Sequence, residues 1–229
     1  MMGRDICRDI KEIILNNLSE ILSLRNQKLM KEDNSYVSLG DLLCERLIKD
    51  YIDENLVNYF LVSEETPSEN LINYTKENII ILDPIDGTEN FVSGLVEWGV
   101  AVCVYNNGKH TQSMIAIPEL NSYMISGDKF PKFSSRIAGI SSSLSKQDLL
   151  NLQDGFEYRI IGCCVYNMYN VITGSYNTFE NPKGAWVWDI IPGLNLALEN
   201  GLSVTINNKP YHGELLAPDQ KYRFKIWQN

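Results

Sequence analysis

Histidine is almost missing from the sequence: His110 and His212 are the only two in 229 residues. Both sit in polar, turn-like surroundings where a solvated imidazole is the expected role, so a histidine general base is a poor starting point. The five cysteines, Cys7, Cys44, Cys103, Cys163 and Cys164, form no CxxC pair, and an odd number cannot close into a full intramolecular set. A reducing cytoplasm is the expected compartment. No apolar run reaches membrane-spanning length, and Arg4, Asp5, Arg8, Asp9, Lys11 and Glu12 interrupt the first thirty residues, so neither a span nor a signal peptide is expected. Positive charge is also scarce. Twenty Lys+Arg against 29 Asp+Glu leave a formal charge of -9, which opposes non-specific binding to nucleic acid or anionic membranes. Internal repeats and low-complexity segments are absent.

Several routes to phosphate or ester cleavage are missing as motifs. There is no Cys-x5-Arg loop, no G-x-S-x-G elbow and no G-x4-G-K-[ST] loop, and Asp83 has no acid two positions on. What remains is an ordinary folded composition, 44% hydrophobic, long enough for a substantial core in one large domain or two subdomains. Any chemistry falls to carboxylates.

The stretch that organises the chain is residues 79–91, IIILDPIDGTENF. Ile79 to Leu82 are too few for a typical helix and rich in β-branched side chains, so they read as a buried strand that ends on Asp83. Pro84 and Gly87 then punctuate a tight turn from which Asp83 and Asp86 project three residues apart. Paired carboxylates at a strand tip suit Mg²⁺, which prefers oxygen ligands. Thr88 adds a hydroxyl, and Gly87 lets the amides of Gly87 and Thr88 point at an anion. Taken alone, the same turn reads equally as a solvated loop whose acids bond the local backbone.

Four further acidic residues, at three places in the chain, carry the same double reading. Asp41 falls in the first turn of an expected helix marked by Leu42, Leu43, Leu47, Ile48, Tyr51 and Ile52, where an acid is ordinarily a cap or a partner for the helix dipole. Glu64 and Glu65 end an expected strand over residues 59–62, a costly pairing unless solvated, ion-paired or on a metal. Asp189 opens an expected helix over residues 189–199, with Pro192 in its first turn and Gly201 just past its end.

DPIDGTENF resembles the D-P-[IL]-D-G-T-x-N-F signature of the inositol monophosphatase family, metal-dependent phosphatases that include bisphosphate nucleotidases and fructose bisphosphatases. Ser63-Glu64-Glu65-Thr66 upstream and Trp188-Asp189-Ile190-Ile191-Pro192-Gly193 with Glu199 downstream resemble two more of its blocks, in the same order. The resemblance implies an αβαβα layered sandwich, with an N-terminal antiparallel-sheet half and a C-terminal α/β half. It also implies direct hydrolysis of a phosphate monoester by metal-activated water, with two or three Mg²⁺ ions and no covalent intermediate. Glu64, Asp83 and the Ile85 carbonyl would hold one ion, and Asp83, Asp86 and Asp189 the second. Glu64 and Thr88, with Asp41, would orient the water. Asp86 and the amides of Gly87 and Thr88 would meet substrate, as would Glu180, although its spacing from Trp188-Asp189 differs from the family's and a surface role fits it as well.

Thr88-Glu89-Asn90-Phe91 favours a small polyol phosphate such as inositol 1-phosphate over the nucleotidase branch; a 3'(2'),5'-bisphosphate nucleotidase or a fructose-1,6-bisphosphatase is the alternative. A regulatory binding protein with vestigial activity is the reading outside enzymology. A homodimer is implied by the family. Departures are Gly40 in place of a Thr, Cys163 near a common Ser, Asn200-Gly201-Leu202 for Ala-Gly-Gly, and a short central loop. Lys31 resembles a basic residue of the same site. Ser141-Ser142-Ser143 is either a phosphate-side loop or a plain strand-to-helix turn with Ser145 as N-cap.

Elsewhere, Ile6, Ile10, Ile13, Ile14, Leu18, Ile21 and Leu22 recur at helical spacing and predict an amphipathic helix over residues 5–24. Strands over 96–105 and 111–117 flank Asn106-Asn107-Gly108, a hairpin signal. The second half alternates expected strands at 137–141, 158–162 and 175–180 with helices at 145–152 and 164–172, an α/β pattern. A boundary near Pro131 divides subdomains 1–133 and 134–229.

Overall fold

A computed structural model describes residues 4–31, 35–65 and 78–229; Thr66 of the upstream acidic block lies outside the described residues. Helix α1 (Ile6–Ser23) is capped by Asp5, which accepts from the Arg8 amide, and buries the stripe Ile6, Ile10, Ile14 and Ile21. A short hairpin that the sequence reading did not anticipate, β1 (Lys28–Met30) with β2 (Tyr36–Ser38), leads into α2 (Leu39–Asn55). Five strands then form one sheet in chain order: β3 (Tyr59–Ser63), β4 (Asn78–Asp86), β5 (Gly99–Asn106), β6 (Lys109–Ile117) and β7 (Ser122–Ile125). A short helix, α3 (Thr88–Val92), also unanticipated, follows β4 directly. Asn107 and Gly108, both at positive φ, close the β5–β6 hairpin as expected. The sheet is antiparallel except that β3 runs parallel to β4, which makes its first edge mixed.

Strand β4 explains why its sequence is continuously apolar. Ile80 and Leu82 pack with Ile10, Ile14 and Ile48 beneath α1 and α2, while Ile79 and Ile81 pack with Val165, Met168 and Leu194 on the opposite face. A strand covered on both sides has no solvent-facing register to fill with polar residues.

The second sheet has the order β12-β11-β13-β10-β8-β9. Its strands are β8 (Ile137–Ile140), β9 (Glu157–Ile160), β10 (Thr178–Ala185), β11 (Ser203–Ile206), β12 (Lys209–Pro210) and β13 (Tyr222–Trp227). Strand β8 pairs parallel with β9 and β10, and the remaining pairs are antiparallel. Helices α5 (Cys164–Ile172) and α6 (Val187–Glu199) lie between the two sheets, touching β5 and β6 on one side and β13 on the other. The αβαβα order is present, with its last helical layer reduced to α4 (Lys146–Leu150), which buries no residue. Beside α4 the outer face of the second sheet carries a groove of about 630 Å³ over Tyr158, Thr178 and Trp227. The boundary expected near 133/134 falls in the connector 126–136 between the sheets.

Two expectations are corrected. Strand β4 does not stop at Asp83 but continues to Asp86 through a register shift against β5. Helix α6 starts at Val187, two residues before Asp189, so Pro192 lies inside the helix and not in its first turn. Among the described residues no helix is long and apolar enough to cross a membrane.

Candidate active site

Parallel pairing places the ends of β3 and β4 side by side: Ser63 is in register with Leu82, and the Glu64 amide donates to the Leu82 carbonyl at 3.3 Å. Glu64 therefore leaves its strand next to Asp83. The bulge between Asp83 and Asp86 contains Pro84, which has no N–H to give to the ladder, and it offsets the two acids along the strand end. Gly87, at φ +82, then turns the chain into α3; a side chain there would be strained in the left-handed region. From the second half, α6 points its first turn at the same place. Carboxylate oxygens of Glu64, Asp83 and Asp189 all lie within 4.8 Å of one another. They line a cavity of about 220 Å³ with Ile85, Asp86 and Thr88.

Burial and mutual repulsion act together on this cluster. Burial pushes Asp83 well above the ordinary carboxylate range, and the charges of Glu64, Asp86 and Asp189 push it further. Asp189 is raised in the same way, by burial and then by Asp86 and Glu64, although the Trp186 amide it accepts opposes the rise. Asp189 thus serves as the acid of the α6 N-terminus and as a member of the cluster. Asp83 Oδ1 accepts from the Ile85 amide at 3.1 Å, whereas its buried Oδ2 has no partner. An all-oxygen set with an unpaired buried carboxylate oxygen fits a hard divalent cation such as Mg²⁺.

Asp86 sits at the edge of the set. Burial lifts it to about 6, against hydrogen bonds from the Cys163 thiol and the Val165 amide at the start of α5. The departure at Cys163 is accounted for here. Its thiol donates to Asp86 at 3.0 Å and its sulfur accepts from the Tyr166 amide at 3.2 Å, so it caps α5 as a serine would.

Asp41 caps its helix and also contacts a side chain of the cavity. It completes a capping box at α2, accepting from the Ser38 amide at 2.9 Å and from the Ser38 hydroxyl. Its other oxygen lies 3.1 Å from Thr88 Oγ1, which is also 3.0 Å from the Ile85 carbonyl. Burial, opposed by those bonds, raises Asp41 to about 6. Gly40, which stands in place of a Thr, brings no hydroxyl, and Ser38 supplies one to Asp41 instead. A side chain at Gly40 would approach the Phe91 ring to 2.9 Å, and Phe91, stacked edge-on against Trp98, anchors the helix that begins with Thr88.

Lys31 reaches the cluster, pairing with Glu64 at 2.9 Å and Glu65 at 2.8 Å. Burial works to lower its pKa, but the two glutamates outweigh it and the pKa is raised. Glu65 is lifted to about 7 by burial, against that ion pair. Glu180 is not brought to the site. It lies on the outer face of β10, pairs with Lys225 at 3.1 Å and lines the groove there. Sequence reasoning missed Ser38, whose Ser-x-x-Asp spacing was a readable capping signal, and Asn181 and Lys221, for which no motif exists.

The sequence model of the inositol monophosphatase family matches residues 3–136, more than half of the chain. The chain belongs to the inositol monophosphatase family. That membership places it among phosphatases. A protein named fructose-1,6-bisphosphatase/inositol-1-monophosphatase from Thermotoga maritima is 26% identical over 187 residues, covering 72% of this chain and 69% of its own. An uncharacterized protein of Sinorhizobium fredii is 29% identical over 94 residues, which is 41% of this chain and 32% of that protein. Among solved structures, a staphylococcal inositol monophosphatase-1 in a LiCl-soaked inhibitory complex superposes with a TM-score of 0.78 at 20% identity, covering 99% of this chain and 92% of its own. At that identity the likeness shows the fold of an inositol monophosphatase.

Proposed function

We propose that this inositol monophosphatase-family protein hydrolyses a phosphate monoester of a small polyol with the aid of Mg²⁺. The observation that carries the reading is the meeting of Glu64, Asp83 and Asp189 oxygens within 4.8 Å, beside Thr88 and Asp41. Glu64, Asp83, Asp189 and the Ile85 carbonyl, with Asp86 at the edge, are the residues that would hold the cation. When bound, Mg²⁺ lowers the pKa of water and neutralises phosphate charge.

The chain's own groups do the rest. Thr88 Oγ1 donates to Asp41, which leaves its lone pairs to accept from an incoming water. Asp41, lifted to about 6, is poised to take a proton near neutral pH. The amides of Gly87 and Thr88, which have no side-chain cap, are donors for phosphate oxygens. Lys31 balances the excess of acid around Glu64.

Replacing Asp83 with Asn is expected to reduce hydrolysis of inositol 1-phosphate under Mg²⁺ to background while the circular dichroism spectrum stays native. Undiminished turnover would remove Asp83 from the site. A homodimer belongs to the same reading and is checked by analytical ultracentrifugation. So does a reducing cytoplasm, which suits five unpaired cysteines, four of them buried.

A further inference from the structure

Next to the acidic cavity lies a second one, of about 170 Å³, which shares Asp86, Asp189 and Gly162 with it. Its other polar walls are Ser141, Ser142 and Ser143 after β8, Asn167 of α5, Asn181 of β10 and Lys221 ahead of β13. Two of these are buried and incomplete. Ser141 is 8% exposed and its hydroxyl has no partner; Asn167 is 1% exposed and its Oδ1 has none. Each such group is costly to bury unless something completes it.

The charge of this cavity is the second observation. Apart from Asp86 and Asp189 of the acidic cluster, its lining among the described residues holds no carboxylate, and it holds one cation, Lys221. The cause is local. Strand β10 shifts register against β13 between Asn181 and Ala185, where Asn181 Oδ1 accepts from the Lys183 and Gly184 amides at 3.1 and 2.9 Å. Gly184, at φ +89, packs against Tyr222 and comes close to the Lys221 stem; an added Cβ would stand 3.3 Å from that of Lys221. Strand alternation, which turns Phe179 and Asn181 toward the cavity, leaves Glu180 on the far side of the sheet, and the bulge sets Lys221 beside the cavity. There its ammonium sits 5.2 Å from the centre of the Trp186 ring, which is stacked on Trp188. Among the described residues, that ring is the one partner found for Lys221.

We infer that Lys221, with the hydroxyls of residues 141–143, binds a second anionic group, a carboxylate or another phosphate, on an ester whose alcohol portion lies in the second cavity. The inference rests on the phosphatase reading for the position of the first phosphate. A neutral polyol can hydrogen-bond the serine hydroxyls but leaves the charge of the Lys221 ammonium without a counter-charge. A second anion gains a charge-assisted contact at a partly enclosed surface. Lys221 is thus a specificity-determining residue and takes no part in bond cleavage.

The test compares kcat/KM under Mg²⁺ for esters that differ in the second anion: 2-phosphoglycerate against glycerol 2-phosphate for a carboxylate, and fructose 1,6-bisphosphate against fructose 1-phosphate for a phosphate. The wild-type protein is expected to prefer the more highly charged member of at least one pair by about tenfold or more, and Lys221→Gln to cut that ratio to about twofold or less. The pair that responds identifies the anion. No preference in either pair, or a Lys221→Gln variant slowed equally on both members, overturns the inference. If no ester is hydrolysed, the phosphatase reading fails separately. Tryptophan-fluorescence titration with the two fructose phosphates then decides: tighter binding of the bisphosphate that Lys221→Gln removes supports the inference, and equal binding contradicts it.

Discussion

At the scale of single residues, Asp189 and Asp41 each make one structural contact and face a second group of the cavity. Asp189 accepts the Trp186 amide and faces Asp83; Asp41 closes the α2 capping box and faces Thr88. Sequence alone left those readings as rivals, and the structure shows that a carboxylate with two oxygens can cap its helix and still face other side chains of the cavity. The acids themselves were legible because each falls in a motif at the end of an element, a strand end for Glu64, Asp83 and Asp86 and a helix start for Asp41 and Asp189. Glu180 misled for a physical reason: in a strand, facing is set by parity, and Glu180 shares the parity of Thr178 and Pro182, which line the outer groove and not the acidic cavity. Asp41→Asn keeps a cap but removes the proton acceptor. It is expected to lower kcat by about 10²-fold or more with little change in KM, measured by steady-state phosphate release.

At the scale of elements, long periodic segments were read well. The expected α1 and α5 agree with the observed helices to within a residue, and the Asn107-Gly108 hairpin lies where its turn chemistry put it. Short elements escaped. Strands β1 and β2 have three residues each, too few for a period to show, and α3 has five. Strand β13 did carry a signal, since buried Tyr222, Phe224 and Ile226 alternate with polar or half-exposed neighbours, but it lay beyond the recognised blocks. The bulge of β10 has a testable cost of its own. Gly184→Ala forces a side chain into the left-handed region and against Tyr222, and is expected to cost about 1 kcal/mol or more in urea denaturation.

At the scale of the molecule, two sheets share the helical layer α5–α6, and the acidic cluster lies where the ends of β3, β4 and α6 meet. That placement makes stability depend on cation and pH together. Asp83, Asp86 and Asp189 all have folded pKa values above the unfolded value of 3.8, so the metal-free folded state holds protons that the unfolded chain has released. Its stability therefore falls as pH rises from about 4 through about 6, the value to which Asp86 is lifted, and beyond. The melting temperature in EDTA is expected to be lower at pH 8 than at pH 6, and Mg²⁺ to raise it more at pH 8. Differential scanning calorimetry at the two pH values checks both signs; a melting temperature in EDTA that rises with pH would contradict them.

The most direct test of the shared cation site is a Mn²⁺ titration of the metal-free protein at pH 7.5, followed by the paramagnetic resonance signal of free Mn²⁺. The wild-type chain is expected to take up at least one Mn²⁺ per chain, with Mg²⁺ competing for the site, and Asp83→Asn and Asp189→Asn to leave the signal of the free ion almost undiminished. Uptake by both variants equal to that of the wild type would contradict the account.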